Sequence, residues 1–273
     1  MSSASRIERE RDFHDAWAKS SLSELPDPVH VNEALTSPEL RFIHTTLGDV
    51  SGKKVMDLGC GLGEASVYFA MRGADVTAVD LSGEMLNATA ALAESRKVRL
   101  RTHKAASESL GLAPGEQFDV IYVGNLFHHV AIAETLDVLL PHLKAKGTLV
   151  SWDPVAYNPV INVYRRMAME VRTEDEHPLT RSDVAALRSR FAHSEIKCFW
   201  LSTLVIFILM AFVQRRNPNK VRFWKAVVDE SEKWRWLYQP LAAVDRFLLA
   251  VIPPLKWLCW NVVVICREPK KNV

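Results

Sequence analysis

The stretch Val55-Met56-Asp57-Leu58-Gly59-Cys60-Gly61-Leu62-Gly63-Glu64 decides the fold, because an apolar run leads directly into three closely spaced glycines. Glycine adopts positive φ without strain and lets a ligand approach the backbone closely. A helix that begins just after such a loop turns free amide groups toward its ligand. The stretch therefore predicts a strand, a ligand-binding loop and a helix; a tight turn without a ligand is the alternative.

Short β-rich runs alternate with helical stretches from residue 53 to residue 152. Strands are predicted at 54–58, 75–80, 97–101, 118–123 and 148–152, and helices at 63–71, 83–94 and 132–143. Two further strands are predicted at 195–201 and 260–267. This alternation is typical of an α/β fold, a doubly wound parallel sheet covered on both faces by helices.

Composition and charge narrow the class of protein. A chain of 273 residues with 48% hydrophobic and 24% charged residues predicts a globular protein, and a net charge of +2 gives no basic field for nucleic acid. Four cysteines without zinc spacing predict reduced thiols, and no metal site is expected, since the adjacent His128 and His129 would rarely share an ion and no third ligand is evident. Because no secretory signal and no run of about 20 apolar residues occurs, we expect a cytoplasmic protein.

Two acids accompany the glycine loop. Asp57 lies two residues before Gly59, where its carboxylate could reach a cationic amine. Asp80 ends the second predicted strand, where an acid can accept hydrogen bonds from ribose hydroxyls. It could instead cap the following helix, a role that Ser82 could equally fill. Glu64 replaces the third glycine of the dinucleotide fingerprint, and its charge is poorly suited to a pyrophosphate.

These motifs together resemble the class I S-adenosylmethionine-dependent methyltransferases. The resemblance lies in the glycine-loop stretch, in Val76-Thr77-Ala78-Val79-Asp80-Leu81-Ser82, and in Phe118–Tyr122 followed by Asn125-Leu126-Phe127-His128-His129-Val130. It covers residues 40–152 and implies a seven-stranded, mostly parallel sheet. Residues 13–18 also resemble the N-terminal helix that covers the cofactor in many members, which would place Trp17 there.

The resemblance implies S-adenosyl-L-methionine as the cofactor and assigns residues to its parts. The glycine loop and its acid would hold the methionine end, the second acid the ribose, Leu81 the adenine, and the backbone near Asn125 the amino group. Ala106 stands where the family often has an acid for the adenine amine, so Ser107 or Glu108 would substitute. The predicted cofactor-binding residues are Trp17, Asp57, Gly59, Cys60, Gly61, Asp80, Leu81, Ser107, Glu108 and Asn125.

Candidates for the chemistry follow the fourth and fifth predicted strands. His128 and His129 lie beside the expected methyl site, where a side chain that titrates near neutrality suits a general base. We expect an adjacent pair to point only one ring into the pocket, and the pair could simply cap a helix. Asp153 is the next catalytic candidate. Substrate candidates are Trp152, Tyr157, Arg172 and His177, although the last two could belong to a solvated loop.

The segment 202–256 is predicted to be a helical, apolar insertion between the last two strands. Its apolar helix of about twelve residues is followed by Arg215, Arg216, Lys220 and Arg222. Short apolar helices, tryptophans and basic residues are typical of a protein lying on a membrane interface. We expect this contact on the inner face of the membrane. A buried lid or a dimer contact is the alternative.

The sequence pattern predicts three domains and leaves three hypotheses about function. Residues 1–50 are expected to form a helical lid, 51–201 with 257–273 the cofactor-binding domain, and 202–256 the insertion. The first hypothesis is methyl transfer to a small, hydrophobic or lipid-like acceptor. The alternatives are a membrane-attached scaffold that binds the nucleoside without turnover, and a nicotinamide-dependent oxidoreductase. The oligomeric state has no signal in the sequence.

Overall fold

A computed structural model describes residues 3–21, 25–169 and 176–270. The strands are β1 (Lys54–Leu58), β2 (Asp75–Asp80), β3 (Arg101–Lys104), β4 (Phe118–Gly124), β5 (Leu143–Pro154), β6 (Phe191–Phe199) and β7 (Asn261–Pro269). The α-helices are α1 (Ser3–Ser21), α2 (Pro28–Glu33), α3 (Pro38–Leu47), α4 (Glu64–Met71), α5 (Gly83–Ser95), α6 (Ile132–Leu139), α7 (Pro159–Met167), α8 (Arg181–Ser189), α9 (Val205–Ile208), α10 (Phe223–Asp229) and α11 (Ser231–Val251).

The seven strands form one sheet in the order β3-β2-β1-β4-β5-β7-β6. The pairs from β3 to β5 are parallel, whereas β7 is antiparallel to both of its neighbours. The predicted doubly wound, mostly parallel sheet is therefore confirmed. Since the chain leaves β1 and β4 toward opposite edges of the sheet, the loops after these strands diverge and leave a crevice at their carboxyl ends.

Alternate side chains of the strands pack into two apolar layers. On one face, residues such as Met56 and Ile121 pack with residues of α6 and α8. On the other face, Val55 and Val120 pack against α3 and against Phe69 of α4. Continuous apolar strands predict this two-sided burial, because a strand covered on both faces exposes neither face to solvent.

Two predicted strands are displaced, and backbone conformation explains both differences. The strand predicted at 97–101 begins only at Arg101, because Lys97 adopts a φ of 57° and the Val98 amide bonds to the Ala93 carbonyl. These residues complete the C-terminus of α5. The strand predicted at 195–201 ends at Phe199, because Trp200 has a φ of 68°.

The segment between β6 and β7 consists mainly of short helices, followed by the long helix α11. Its first part runs through a 3₁₀ turn (Ser202–Leu204), α9 and a π-helical turn (Leu209–Val213). These elements pack in an apolar cluster with α7, α10 and α11; its buried members include Phe207, Met210, Phe223, Trp234 and Tyr238. No helix among the described residues is long and apolar enough to cross a bilayer.

The apolar helix predicted for the membrane interface is therefore mostly core. Leu204, Ile206, Phe207 and Met210 are each no more than 1% exposed. The predicted domain boundaries at 50, 201 and 256 remain a prediction.

A buried carboxylate holds the start of this segment to α11. Asp245 accepts hydrogen bonds from the amides of Leu201 (3.1 Å) and Ser202 (2.7 Å) and from Oγ1 of Thr203 (2.9 Å). The carboxylate satisfies amide groups that a helix N-terminus leaves without intrahelical partners.

We expect Asp245→Ala to lower the free energy of unfolding by about 1.5–3 kcal/mol, because buried donors would lose a charged acceptor. Urea unfolding followed by tryptophan fluorescence measures the change. Glu232→Ala is the matched control on the same helix, since Glu232 makes only an exposed ion pair with Arg235. Equal unfolding midpoints for Asp245→Ala and the control would contradict the proposed role of Asp245.

Candidate functional site

One cavity of about 340 Å³ opens at the carboxyl ends of β1, β2 and β4. Its walls come from the loops after these strands, from α1 and from the segment between β6 and β7. All ten predicted cofactor-binding residues line it: Trp17, Asp57, Gly59, Cys60, Gly61, Asp80, Leu81, Ser107, Glu108 and Asn125. The sequence thus identifies a group of residues that the fold brings to one place, although their individual roles remain predictions.

The glycine loop takes its shape from positive φ angles and from one carboxylate. Gly61 has a φ of 56°, and a Cβ at this position would meet no atom within 4 Å. Its amide donates to Oδ2 of Asp80 over 3.0 Å, while Oδ1 of Asp80 accepts the Ser82 amide over 2.8 Å. Asp80 therefore links the loop after β1 to the end of β2.

One buried and one half-buried carboxylate, those of Asp57 and Asp80, give this end of the cavity a preference for cations. Asp57 accepts a 2.5 Å hydrogen bond from Oγ of Ser66. Burial, with a smaller contribution from the charges of Asp80 and Glu64, raises the pKa of Asp57 to about 7, and the hydrogen bonds from Ser66 oppose that rise. Burial also raises the pKa of Asp80. A bound cation would stabilise both ionised carboxylates, because opposite charges favour the ionised form.

The loop after β4 carries the predicted histidines, and both of them line the cavity. Their ring centroids are 4.1 Å apart, and the expectation that only one ring points into the pocket stays a prediction. His128 is 5% exposed, and its Nδ1 lies 3.0 Å from Oδ1 of Asp153. Burial raises the pKa of Asp153, while the backbone amides of residues 126–128 oppose that rise. Asp153 therefore lies behind His128 and acts on the cavity only through it.

Helix α1 closes the cavity with polar side chains. Oε2 of Glu10 lies 3.4 Å from Nδ1 of His129 and 3.5 Å from Nε2 of His14. Asp15 bonds to Ser82 at the start of α5. Glu10, His14 and Trp17 are spaced by four and three residues, so they share one helix face. That spacing is the signal by which the sequence could have identified Glu10 and His14.

The predicted substrate residues separate in the structure. Trp152 lines the cavity, and its Nε1 donates to the Tyr122 hydroxyl over 2.7 Å. Tyr157 does not line the cavity; it packs against Trp257 and is 37% exposed. His177 donates its backbone amide to the His128 carbonyl over 2.7 Å and so supports that loop from outside. Arg172 lies outside the described residues.

The carboxylate of Glu176 lies close to both histidines, a proximity that the sequence does not predict. His128, His129 and Glu176 each offer a ligand atom, and these atoms lie within 4.8 Å of one another. The set could hold a divalent cation, since imidazole and carboxylate ligands suit several such ions. The expectation that no third ligand accompanies the pair is wrong, whereas a metal-free reaction stays a prediction.

Comparison with known sequences identifies a domain within the chain. Residues 55–147 match the family described as methyltransferase domain. The chain is 41% identical over 83 residues to the ubiquinone biosynthesis O-methyltransferase of Psychrobacter cryohalolentis, covering 30% of this chain and 32% of that protein. The homologue named for the same activity in Leptothrix cholodnii is 31% identical over 133 residues, which cover 48% and 55% of the two chains. The chain thus spans between a third and about half of the length of these relatives.

Solved structures share the fold at lower identity. A methyltransferase from a complex with the Haloferax volcanii methyltransferase activator superposes with a TM-score of 0.62 at 16% identity, covering 96% and 99% of the chains. Geranyl diphosphate C-methyltransferase from Streptomyces coelicolor gives a TM-score of 0.56 at 15% identity, covering 84% and 74%. At such identities the likeness shows the fold alone.

Proposed function

We propose that this chain, whose residues 55–147 match a methyltransferase domain and whose sheet has the order described above, is a class I S-adenosylmethionine-dependent methyltransferase that methylates a hydroxyl group of a small, hydrophobic acceptor. S-adenosyl-L-methionine is the cofactor of this domain. The observation that carries the proposal is the contact of the buried Asp153 with His128, a histidine that lines the same cavity as the glycine loop.

The described residues fit this cofactor. Its sulfonium and ammonium groups are cationic, and the carboxylates of Asp57 and Asp80 favour cations. The open space beside Gly61 lets a ligand lie against the backbone. When bound, the cofactor supplies a methyl group on a positively charged sulfur. Glu64 faces the same cavity, and its charge disfavours the pyrophosphate that a nicotinamide-dependent oxidoreductase would bind.

His128 is suited to remove a proton from a hydroxyl nucleophile. If Nδ1 donates to Asp153, Nε2 is left as the nitrogen that accepts a proton. The aspartate would then stabilise the imidazolium that forms, as an orienting acid does in other base-assisted sites. The relatives named as O-methyltransferases support oxygen as the methylated atom.

The rest of the cavity wall favours an apolar acceptor. Away from the glycine loop it is mainly aromatic and aliphatic, with Ile7, Phe13, Leu40, Ile161, Tyr164, Trp224 and Trp260. Aromatic side chains of this kind bind flat, apolar molecules through large contact areas. Positioning of the acceptor in line with the methyl group would supply much of the rate enhancement.

We expect affinity for S-adenosylmethionine to rise between about pH 5 and pH 7, by up to tenfold per pH unit, and then to level off. The pKa of Asp57 is about 7, so at lower pH the cofactor must displace a proton from this carboxyl. Calorimetric titration measures the effect. The matched variant Asp57→Asn should bind with a much flatter pH profile, and an equally steep profile in both proteins would rule out Asp57 as the titrating group.

We expect His128→Ala to lower turnover by about 10²–10⁴-fold with little change in cofactor affinity, because the general base is lost. Formation of S-adenosylhomocysteine in the presence of a phenolic acceptor is the measurement. His193→Ala is the control, since the side chain of His193 is 71% exposed and lies on β6. Full turnover by His128→Ala would remove this histidine from the chemistry.

Two further measurements separate the alternatives. Chelation with EDTA should leave turnover unchanged; loss of turnover that zinc or magnesium restores would assign His128, His129 and Glu176 to a metal instead. Cofactor binding without methyl transfer to any phenolic, catecholic or isoprenoid acceptor would favour the scaffold hypothesis.

We further propose a peripheral membrane contact, on a different surface from the predicted one. The basic cluster does not face outward as a unit, because Arg216 pairs with Glu230 and Arg222 lines the cavity. An exposed apolar stripe instead runs along α11, formed by Trp236, Val244, Phe247 and Val251. These residues recur at helical spacing on one face, which suits insertion among lipid headgroups.

We expect the double variant Trp236→Ser/Phe247→Ser to lose binding to vesicles of phosphatidylglycerol, which the wild-type protein should sediment with at low salt. These side chains are 71% and 66% exposed, so their replacement should leave the fold intact. Met71→Ser, which changes an exposed apolar residue on α4, is the control. Equal sedimentation of all three proteins would contradict the contact through α11.

A further inference from the structure

The guanidinium of Arg222 lies on the cavity wall, although the sequence places it within a run of basic surface residues. It is the residue immediately before α10, and its side chain is half-buried. Its Cζ lies 3.8 Å from the centre of the Trp17 ring on α1. Arg222 thus joins the segment between β6 and β7 to the helix that closes the cavity.

The hydrogen-bond donors of Arg222 are not satisfied by an acid. Among the described ranges, Arg222 forms no ion pair and no side-chain hydrogen bond, and its Cζ lies over the Trp17 ring. Arg216, six residues earlier, shows the usual alternative, with two 2.8 Å bonds to Glu230. Stacking occupies one face of a guanidinium and leaves its five N–H donors in the plane of the group.

Partial burial makes the unsatisfied donors of Arg222 energetically costly. Withdrawal from water lowers the pKa of Arg222 below its usual value, while Tyr164 and Glu176 act in the opposite direction. An arginine remains protonated in proteins, so the positive charge persists on the wall. A partly buried charge without a hydrogen-bonded partner is costly unless a ligand provides one.

The position of Arg222 relates it to the proposed reaction centre. Glu176 is the acid whose charge acts on Arg222, and the same carboxylate lies within 4.8 Å of ligand atoms of both His128 and His129. A second guanidinium, Arg165, lines the same cavity and bonds to Oδ1 of Asn162 over 2.9 Å. One molecule in the cavity could therefore reach the histidines and the arginines together.

We propose that Arg222 binds an anionic group, a carboxylate or a phosphate, on the acceptor, and so places the acceptor's hydroxyl beside His128. The inference rests on the proposed methyl transfer and narrows the acceptor to an aromatic hydroxy compound that carries an acid. The planar fork of a guanidinium matches both kinds of oxyanion with two parallel hydrogen bonds. Trp17 would orient that fork and cover the acceptor from above.

Calorimetry of the protein loaded with S-adenosylhomocysteine tests the proposal without turnover. The probes are a dihydroxybenzoate with adjacent hydroxyls, the phosphonate of the same ring, and the neutral benzyl alcohol. We expect at least one acidic probe to bind about 10- to 100-fold more tightly than the alcohol, as hydrogen bonds to a charged group predict. The stronger acidic probe identifies the oxyanion. Equal affinity for acid and alcohol, or no binding of any probe, would overturn the proposal.

Variants distinguish recognition of the anion from a merely structural contact. Arg222→Gln should remove the preference for the acid and leave affinity for the alcohol unchanged, whereas Arg215→Gln, an exposed arginine of the same segment, should change neither. If Arg222 serves only to hold α1 through Trp17, Arg222→Gln and Trp17→Leu would weaken acid and alcohol equally. Should Arg222→Gln not fold, Arg222→Lys, which keeps the charge but not the planar fork, should still weaken the preference for the acid, and an unchanged preference would overturn the role of Arg222.

The outcome is separable from that for methyl transfer. Methylation of the alcohol and the acid with equal efficiency would support the proposed function and contradict the role of Arg222. Tight binding of the acid that depends on Arg222, without formation of S-adenosylhomocysteine from S-adenosylmethionine, would support the role of Arg222 and contradict the proposed methyl transfer.

Discussion

The site depends on three aspartates at the carboxyl edge of the sheet, of which Asp57 and Asp153 are fully withdrawn from water and Asp80 is half-buried. Asp57, Asp80 and Asp153 lie at the ends of β1, β2 and β5, and burial raises the pKa of each. A buried carboxylate costs stability unless donors or cations surround it. The Ser66 hydroxyl and the amides of Gly61 and Ser82 donate to Asp57 and Asp80, and the ring of His128 lies within hydrogen-bond distance of Asp153. These contacts hold the glycine loop, the β2 turn and the candidate base in place.

The cavity at this edge of the sheet is covered by segments that lie outside the central part of the chain. The sheet provides the floor of the cavity, but its cover comes from α1 and from the residues between β6 and β7. Glu10 contacts His129, and Trp17 contacts Arg222, so each covering element touches a group that we assign to the acceptor. The cover over the proposed acceptor end of the cavity thus comes from parts of the chain that the matched domain, residues 55–147, does not include, whereas His128 and His129 lie within that domain.

The sequence predicted the sheet and the cofactor half of the cavity because those depend on local rules. Glycines that need positive φ, acids at strand ends and continuous apolar strands each appear as short-range patterns. The acceptor half depends on contacts between distant segments, which no spacing reveals. Glu176 reaching the histidines, Arg222 turning inward and Tyr157 facing away are examples. The apolar helix after β6 was assigned to a membrane surface, because composition alone does not distinguish a buried helix from an interfacial one.

A crystal structure with S-adenosylhomocysteine tests the central claim most directly, because it locates the reacting sulfur relative to this chain's own side chains. We predict the ribose hydroxyls on Asp80, the amino group of the homocysteine near Asp57, and the sulfur directed toward His128. A ligand bound away from the glycine loop, or one whose sulfur points away from the His128–Asp153 pair, would contradict the assignment of this cavity to methyl transfer.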